Sequence, residues 1–259
     1  MSYDDFINIA LNAAVLAGEK IMKVYNSSEH IDFESKTDNS PLTLADKKSH
    51  DTIVSMLKKT ETHIISEESE SIDYQIRKKW KEYWLIDPLD GTKEFIKKNG
   101  EFTVNIALIK NNSPFIGIVY CPVKKILYWN DSKKNVFKKT IGKEKKRLNK
   151  RKKVDQGEKN LRVIVSRSHL NEDTTQYIKK LNDPQLISCG SSLKFLYIAD
   201  NKADIYPRFG PTSEWDIAAG HIILMEAGGS ICSIDNKEIF YNIKENILNP
   251  YFIASCKFK

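Results

Sequence analysis

Cysteine is scarce in this chain, and the cysteines that occur are far apart. The four are Cys121, Cys189, Cys232 and Cys256, and none of them forms a CxxC pair. The spacing indicates neither a zinc site nor a dense disulfide framework. A reducing intracellular compartment is the better match, because disulfide-rich scaffolds belong to oxidising ones.

A basic leader and a long uncharged apolar run are also lacking. The opening segment carries Asp4 and Asp5 early, followed later by Glu19 and Lys20. This pattern predicts an amphipathic helix over about 4–25 rather than a signal peptide or a membrane span. We expect a soluble cytoplasmic protein, and the sequence leaves open peripheral attachment to the cytoplasmic face of the inner membrane.

Internal repeats and linkers rich in proline or glycine are absent as well. The hydrophobic content of 41% and charged content of 29% are ordinary for a globular protein and exclude a disordered one. A second helix is predicted over 44–59, then an antiparallel meander, and after it strands that alternate with helices. The strand patterns lie at 63–68, 83–87, 102–109, 114–121, 125–129, 161–166, 185–189, 203–208, 229–234 and 251–255. We therefore expect an α+β half over 1–155 and an α/β half over 156–259.

The positive charge is concentrated in one segment. The chain has a net charge of +7, and residues 133–153 contain twelve Lys or Arg and one acid. Such a run is compatible with a nucleic-acid or anionic-membrane patch. Phe137 is its only aromatic residue, whereas single-strand binders interleave several. We interpret the segment as a solvated hairpin and connector, and expect no nucleic-acid partner.

The stretch that carries chemistry is "WLIDPLDGTKEF" at 84–95. A residue before proline avoids the helical region, so Asp87 is expected to be extended at the end of a strand. Pro88 cannot continue a ladder, so a turn is expected there. Gly91 allows unusual dihedral angles, and "TKEFI" begins a helix whose free N–H groups point back at the turn.

Two carboxylates and a helix N-terminus therefore converge. Helix N-termini attract phosphate, and Mg²⁺ takes carboxylates together with phosphate oxygens. We interpret Asp87 and Asp90 as a metal cradle. The alternative is structural, with Asp90 capping the helix and Asp87 serving as a turn residue. A covalent aspartyl nucleophile fits less well, because that chemistry places its two aspartates one residue apart.

Two further carboxylates could complete such a site. Glu67 follows the strand "HIIS" and could meet Asp87 across neighbouring strand ends, although "EESE" would also suit an acidic surface loop. Asp216 stands in the first turn of the helix in "PTSEWDIAAGHIILMEAGG", where a negative charge is favourable in any case. The small residues at 218–220 let that helix approach another layer closely.

Two stretches, "WLIDPLDGTKEFIK" and "WDIAAGHIILMEAGG", resemble the paired signatures of the inositol monophosphatase superfamily of Mg²⁺-dependent, lithium-sensitive phosphatases. The similarity spans nearly the whole chain. The motifs "SRSH", "GSSLKF" and "YPRFGPTSEWDIAAGH" most resemble its bacterial 3′(2′),5′-bisphosphate nucleotidases of the CysQ type.

This resemblance implies an αβαβα sandwich of the inositol monophosphatase and fructose-1,6-bisphosphatase type, with the site between the two halves. It implies that two or three Mg²⁺ ions are held by the carboxylates of Glu67, Asp87, Asp90 and Asp216 and the carbonyl of Leu89. Thr92 and Asp46 would orient the attacking water and, with Glu67, form the catalytic set. Structural alternatives are an N-terminal helix residue for Thr92 and a cap-region acid for Asp46.

The substrate implied is a small bisphosphate nucleotide, 3′-phosphoadenosine 5′-phosphate, hydrolysed to AMP. The reacting phosphate would lie against Gly91 and Thr92, among the metal-binding residues Glu67, Leu89, Asp90 and Asp216. A basic cluster would hold the second phosphate: Arg167, His169, Ser191, Lys194 and Arg208. Four of these have a structural alternative: capping by Ser191 or His169, a solvated Lys194, a salt bridge for Arg208.

Two other functions remain open at this point. One is an inositol or sugar monophosphate phosphatase of the same superfamily, which would need no second phosphate site. The other is a non-catalytic polyanion-binding protein that uses the 133–153 lysines, for which the carboxylate set would have no purpose. His50, His63 and His221 lack ligand spacing and are interpreted as structural. The oligomeric state is not fixed by the sequence.

Overall fold

The helices and strands follow the expected order. The computed structural model describes residues 1–27, 33–35, 41–151, 154, 157–168 and 170–256. Its α-helices are α1 Tyr3–Tyr25, α2 Leu44–Leu57, α3 Tyr74–Arg77, α4 Thr92–Ile96, α5 Glu172–Ile178, α6 Leu193–Ala199 and α7 Glu214–Glu226. Its strands are β1 Phe33–Ser35, β2 Pro41–Thr43, β3 His63–Ser66, β4 Glu82–Asp90, β5 Thr103–Lys110, β6 Ser113–Cys121, β7 Ile126–Asn130, β8 Val136–Thr140, β9 Lys146–Arg147, β10 Arg162–Ser166, β11 Gln185–Cys189, β12 Ile205–Arg208, β13 Gly229–Ser233 and β14 Phe252–Cys256.

The larger sheet has seven strands in sequential order from β3 to β9. β3 pairs with β4 in parallel, and the remaining neighbours are antiparallel, so the expected meander is confirmed. Successive side chains of a strand point to opposite faces. Tyr83 and Leu85 accordingly enter one core cluster, whereas Trp84 and Ile86 enter another. The sheet is therefore buried on both faces.

The smaller sheet has five strands in the order β11-β10-β12-β14-β13. β10 pairs in parallel with β11 and β12, while β14 pairs antiparallel with β12 and β13. The parallel connections run through α5 and α6, as crossover connections of parallel strands require. The alternation of strands and helices predicted for this part of the chain is confirmed.

Five layers follow from the packing of the two sheets. α1 and α2 cover the outer face of the large sheet, α6 and α7 lie between the sheets, and α5 packs with Leu161, Val163 and Ile205 on the far side. The expected αβαβα sandwich is confirmed. The division at residue 155 remains a prediction, and the central cluster draws residues from both sheets.

α7 is the central helix of this sandwich and is buried along most of its length. Gly220 lies so close to Phe195 that an added Cβ would be 2.6 Å from the ring. Side-chain packing in cores leaves no room for such an atom. The small residues at 218–220 therefore allow the close approach that their sequence suggests.

Three long helices begin with the same device, a capping box. Ser2 pairs with Asp5 at α1, Thr43 with Asp46 at α2, and Ser213 with Asp216 at α7. In each, the cap side chain and the acid at the third helical position satisfy N–H groups that the helix leaves free. Two of these three acids are candidate site residues. No helix in the described part of the chain is both long enough and apolar enough to span a bilayer.

Candidate active site

The end of β4 forms the floor of the candidate site. Asp87 is buried, and its Oδ1 accepts a hydrogen bond from the Leu89 N–H at 3.1 Å. The sequence predicted that the chain would turn at Pro88, but the strand continues to Asp90. Pairing with β5 is interrupted by a bulge after Asp87 and resumes at Asp90. Bulges redirect side chains near active sites, and here the two carboxylates come to the same side.

The backbone after the bulge has the conformation that glycine favours. Gly91 has φ of 94° and precedes the first residue of α4. A Cβ at this position would lie 3.1 Å from the carbonyl oxygen of Glu101. The prediction of an unusual dihedral angle at Gly91 is therefore confirmed, and so is the start of a helix at Thr92.

Asp90 does not cap α4, contrary to the structural alternative. Its Oδ2 accepts hydrogen bonds from the Ser192 N–H at 2.5 Å, from the Asn105 side-chain amide at 3.2 Å and from the Thr103 hydroxyl at 3.5 Å. Three donors on one oxygen hold the carboxylate in a single orientation. Asp90 is therefore tied to the start of α6, across the two halves of the chain.

Asp46 and Asp216 both serve as capping acids in the first turn of their helices. Oδ2 of Asp46 accepts from the Thr43 N–H at 2.8 Å, and Oδ2 of Asp216 accepts from the Ser213 N–H at 2.8 Å. Capping engages one oxygen of each carboxylate and fixes its direction. The capping box is thus also a way to aim an acid into a cavity.

One cavity of about 700 Å³ brings together most of the predicted residues. It is lined by Glu67, Asp87, Leu89, Asp90, Gly91, Thr92, Ser191, Lys194, Arg208 and Asp216. Asp46 reaches it through the Thr92 hydroxyl, which lies 3.3 Å from its Oδ1. Residues from Glu67 to Asp216 therefore meet in space, as the prediction requires. His169 lies outside the described residues.

The carboxylates in this cavity destabilise one another. Burial raises the pKa of Asp87 well above its ordinary value, and the charges of Glu67, Asp90 and Asp216 raise it further. Burial likewise raises the pKa of Asp216, followed by the charges of Asp90 and Glu67. The pKa of Asp90 rises to about 6, because burial outweighs the opposing effects of Lys194 and the Asn105 amide. Buried like charges favour proton uptake or a cation.

The donor set fits a divalent cation in charge and in chemistry. Clustered carboxylate oxygens with a nearby carbonyl are the hard ligands that Mg²⁺ prefers. Asp87 also lies close enough to Glu67 for a side-chain hydrogen bond between them to raise the pKa of Asp87. No three His, Cys, Asp or Glu side chains in the described ranges have a ready-made ligand arrangement.

Thr92 is placed to orient a water molecule. Its hydroxyl lies 3.3 Å from Oδ1 of Asp46 and 3.2 Å from the carbonyl oxygen of Leu89. Since both neighbours accept hydrogen bonds, the single hydroxyl proton is directed at one of them. The lone pairs of the Thr92 oxygen are then available to accept a hydrogen bond from a water in the cavity.

Lys194 and Arg208 supply buried positive charge to the same cavity. Their exposed fractions are 7% and 8%, and the Lys194 ammonium lies 5.4 Å from the centre of the Tyr206 ring. The alternative of a solvated Lys194 is therefore wrong. Arg208 donates to the carbonyl of Pro211 at 2.9 Å. Ser191 is buried with φ of 49° and precedes the helix cap, which is Ser192.

Arg167 is paired with a carboxylate in this structure. Its guanidinium donates two hydrogen bonds of 2.8 Å to the carboxylate of Glu101. This bidentate pairing uses the same fork geometry that would hold a phosphate. In this structure Arg167 therefore connects the end of β10 to the segment before β5.

Sequence reasoning missed the polar network beneath Asp90. The Ser192 hydroxyl donates to Asn105 at 2.7 Å and lies 2.8 Å from the Thr103 hydroxyl. Thr103 and Asn105 are fully buried polar residues on the same face of β5. Their signal was present in "FTVNIALI", where two polar side chains alternate inside an apolar strand. Their partners lie far away in the chain, so the pattern alone could not assign a role.

The histidines at 50, 63 and 221 all have partners within the fold. Nδ1 of His50 lies 2.9 Å from the Ser66 hydroxyl, and Nδ1 of His221 lies 2.9 Å from the Tyr241 hydroxyl. His63 stacks on Trp80 with 4.1 Å between ring centres. Burial lowers the pKa of His221 to about 3, which keeps that ring neutral. These contacts agree with the structural interpretation of the three residues.

The lysine-rich segment lies elsewhere. β8 and β9 form the expected hairpin and line a second cavity of about 1050 Å³, together with the start of β10 and the end of α6. Several of its cations are paired within the protein. Lys138 contacts Asp200 at 2.7 Å, and Arg151 and Arg162 contact Asp204 at 2.9 and 2.7 Å.

Comparison with known proteins identifies the family. The sequence profile of the inositol monophosphatase family matches residues 2–255. The chain belongs to the inositol monophosphatase family. Within that family, 3′(2′),5′-bisphosphate nucleotidase CysQ of Salmonella typhimurium is 43% identical over 237 residues, which cover 91% of this chain and 94% of the relative.

Solved structures of the inositol monophosphatase family agree with this fold. The crystal structure of CysQ from Bacteroides thetaiotaomicron matches with a TM-score of 0.84 at 42% identity and covers 97% of both chains. A staphylococcal inositol monophosphatase-1, solved as an inhibitory complex soaked in 100 mM LiCl, matches with a TM-score of 0.78 at 19% identity. It covers 98% of this chain and 89% of its own, and it shows the shared fold alone.

Proposed function

We propose that this protein is a metal-dependent 3′(2′),5′-bisphosphate nucleotidase that hydrolyses 3′-phosphoadenosine 5′-phosphate to AMP and phosphate. The observation that carries the proposal is one cavity lined both by the carboxylates of Glu67, Asp87, Asp90 and Asp216, the carboxylate wall, and by the buried cations Lys194 and Arg208, the cation wall. The CysQ relatives at 42–43% identity, which match along more than nine tenths of the chain, support it.

The carboxylate wall suits metal-assisted phosphate hydrolysis. Glu67 and Asp87 would hold one Mg²⁺, and Asp87, Asp90 and Asp216 a second, with the Leu89 carbonyl as a further ligand. A bound divalent ion supplies Lewis-acid activation of water and neutralises charge on the phosphate. Occupancy by two or three Mg²⁺ ions, as the family resemblance implies, stays part of the proposal.

The protein's own groups position the attacking water and the reacting phosphate. Asp46, held by its capping contact to Thr43, orients the Thr92 hydroxyl, which passes its own proton to Asp46 Oδ1 as its oxygen takes the proton of the water. The N–H groups of Gly91 and Thr92 stand at the start of α4, where a phosphate oxygen can accept from them. No residue in this arrangement is asked to form a covalent phosphoenzyme.

The cation wall supplies the preference for a second phosphate. The Lys194 ammonium lies over the ring of Tyr206. Its positive charge offsets part of the rise that burial causes in the pKa of Asp90. Arg208 has the same effect on Asp216. A buried ammonium and a buried guanidinium beside the carboxylates favour an anion that bridges both walls.

The proposal is tested by measuring phosphate release from a panel of esters. We expect efficient turnover of 3′-phosphoadenosine 5′-phosphate with Mg²⁺, inhibition by Li⁺, and much slower turnover of inositol 1-phosphate and 3′-AMP. Equal rates on inositol 1-phosphate and the bisphosphate would overturn the substrate assignment while leaving a phosphatase of the same family.

The Asp90→Asn variant tests the carboxylate wall in the same assay. Loss of the anionic charge is expected to reduce turnover by more than about a hundredfold, because even outer-shell changes at metal sites cost 10–100-fold. The asparagine oxygen can still accept from the Ser192 N–H, so the contact between α6 and β4 is retained. Near-normal turnover by the variant would contradict a ligand role for Asp90.

A further inference from the structure

The motifs "NGEF", "SRS" and "GSS" are joined by a set of contacts outside the catalytic residues. Oε2 of Glu101 accepts from the Gly190 N–H at 2.8 Å, and the same carboxylate accepts two hydrogen bonds of 2.8 Å from Arg167. Arg167 also donates to the carbonyl of Ser188 at 3.1 Å. One carboxylate of the large-sheet half thus holds two strand ends of the small sheet, those of β10 and β11.

A second carboxylate makes a parallel contact. Glu94, which is 5% exposed in α4, accepts from the Ser168 hydroxyl at 2.6 Å. Gly190 lies between the two acids, and a Cβ there would be 2.8 Å from Cγ of Glu94 and 2.9 Å from the Glu101 carbonyl oxygen. The turn at 190–192 is therefore pressed against the segment that carries Gly91 and Thr92.

This turn leads directly into both walls of the cavity. Ser192, two residues after Gly190, donates its N–H to Asp90, and Lys194 follows on the first turn of α6. The position of Gly190 consequently determines where Ser191 and Lys194 stand relative to Gly91 and Thr92. Those two sets of groups belong to different halves of the chain.

We propose that the Glu101–Arg167 pair is a positioning device that sets the distance between the carboxylate wall, with the neighbouring N–H groups of Gly91 and Thr92, and the cation wall, and thereby the preference for bisphosphate over monophosphate substrates. The inference rests on the proposed function. In this proposal neither Glu101 nor Arg167 contacts the reacting atoms. Only a substrate with two phosphates contacts both walls, so only its binding depends strongly on their separation.

The electrostatics of the pair agree with this role. Burial alone would raise the pKa of Glu101, but the hydrogen bonds from Arg167 and the Gly190 N–H outweigh it and the pKa is lowered. The carboxylate is therefore charged at neutral pH and remains an acceptor for both partners. Charge-assisted bidentate contacts of this kind add geometric specificity as well as energy.

The test compares the wild type with Glu101→Gln on 3′-phosphoadenosine 5′-phosphate and on 3′-AMP, each with saturating Mg²⁺. We expect the ratio of the two kcat/KM values to fall about tenfold in the variant, in line with the cost of losing an outer-shell contact. The change should appear in the KM for the bisphosphate, with kcat and the values for 3′-AMP within about threefold of wild type.

Two further variants and one binding measurement complete the experiment. Arg167→Ala should produce the same loss as Glu101→Gln, and the double variant should lose no more than the single ones, because contacting residues are not additive. Arg167→Lys should not return the ratio of the two kcat/KM values to that of the wild type, since an ammonium cannot form the bidentate contact. Calorimetric titration with adenosine 5′-monophosphate measures binding to the cation wall without turnover. The affinity of the variants for this ligand should differ from that of the wild type by less than threefold.

Glu226→Gln is the matched control, because Glu226 is a partly buried acid paired with Lys134 at the far end of α7. It should keep the wild-type ratio. A wild type that shows no preference for the bisphosphate would overturn the proposed function itself. A wild type with the preference and a folded Glu101→Gln variant with an unchanged ratio would overturn only the positioning role. A folded variant whose kcat falls on both substrates alike would also contradict it.

Discussion

Two cavities of this molecule, the candidate site and the one beside the β8–β9 hairpin, contain the same type of residue in opposite electrostatic states. In the cavity at the end of β4, burial raises the pKa of Asp87, Asp90 and Asp216, and the carboxylates repel one another. Beside the β8–β9 hairpin, burial would also raise the pKa of Asp200 and Asp204, but lysine and arginine partners outweigh it and both pKa values are lowered.

This difference separates acids whose ion pairs stabilise the folded state from acids whose mutual repulsion destabilises it. An acid with arginine partners is already neutralised, so it has little to offer a ligand. An acid that is buried among other acids is not neutralised in this way, so a bound cation would stabilise it. Strongly perturbed acids in a cleft are common at functional sites, and here the sign of the shift distinguishes the two roles.

The largest expected effect is that of Asp216→Asn. Turnover should fall by more than about a hundredfold, because a direct ligand is lost. Without metal, at pH 8 and in a chelator, the melting temperature should rise by about 2–4 °C, as one carboxylate fewer takes part in the repulsion. The asparagine can still accept from the Ser213 N–H, so α7 keeps its cap.

Melting curves with and without Mg²⁺ check this prediction. The wild type should gain stability from Mg²⁺, and the variant should gain less. A variant that is less stable than wild type in the chelator would show that the carboxylates of this cavity are not in conflict, and the comparison of the two cavities would fail.

Asp204→Asn should have the opposite profile. Removal of the charge leaves Arg151 and Arg162 without their anionic partner, and breaking a buried pair of this kind costs about 3 kcal/mol. Turnover per folded molecule should not change. Because the folded pKa of Asp204 is lowered, its contribution is complete above the ordinary value of 3.8 and is lost as the pH falls below it.

Urea denaturation at pH 7 and at pH 3 measures this effect directly. The difference between wild type and variant should shrink at the lower pH. A stability difference that stays constant across this range would mean that the Asp204 contacts contribute through packing rather than through charge.

The smallest effect is expected for the exposed cations of β9. Neutralising both in Lys146→Gln/Arg147→Gln should lower kcat/KM by no more than about twofold at low salt, through weaker long-range attraction of an anionic substrate. The effect should disappear at high ionic strength, where such interactions are screened. A loss that persists in high salt would assign the hairpin a direct role in substrate binding.

Much of the architecture could be predicted because it follows from local patterns. The alternation in "FTVNIALI" and "PFIGIVYC" matched β5 and β6, and the motif around Gly91 matched a strand, an unusual dihedral angle and a helix start. What failed was the assumption that Pro88 ends the strand. A bulge allows pairing to resume beyond it, and the Ser49 hydroxyl satisfies the Pro88 carbonyl at 2.7 Å from another element.

The contacts that join the two halves could not be predicted from the sequence. Nothing in "SRSH" tells a reader whether Arg167 faces a phosphate or a carboxylate, because the guanidinium fits both. Likewise, "GSSLKF" does not reveal that the N–H of Ser192, rather than the Ser191 hydroxyl, holds Asp90. Such assignments depend on distant segments that only the folded chain brings together.

The burial of α7 between two sheets also constrains the order in which the active site forms during folding. Asp216 can take its place only when both sheets have closed around its helix, whereas the β4 bulge needs little more than its neighbouring strands. Contacts between distant segments form late, because the intervening chain must first be ordered. During refolding, recovery of activity should therefore lag behind the return of the protected amides of β4 and β5.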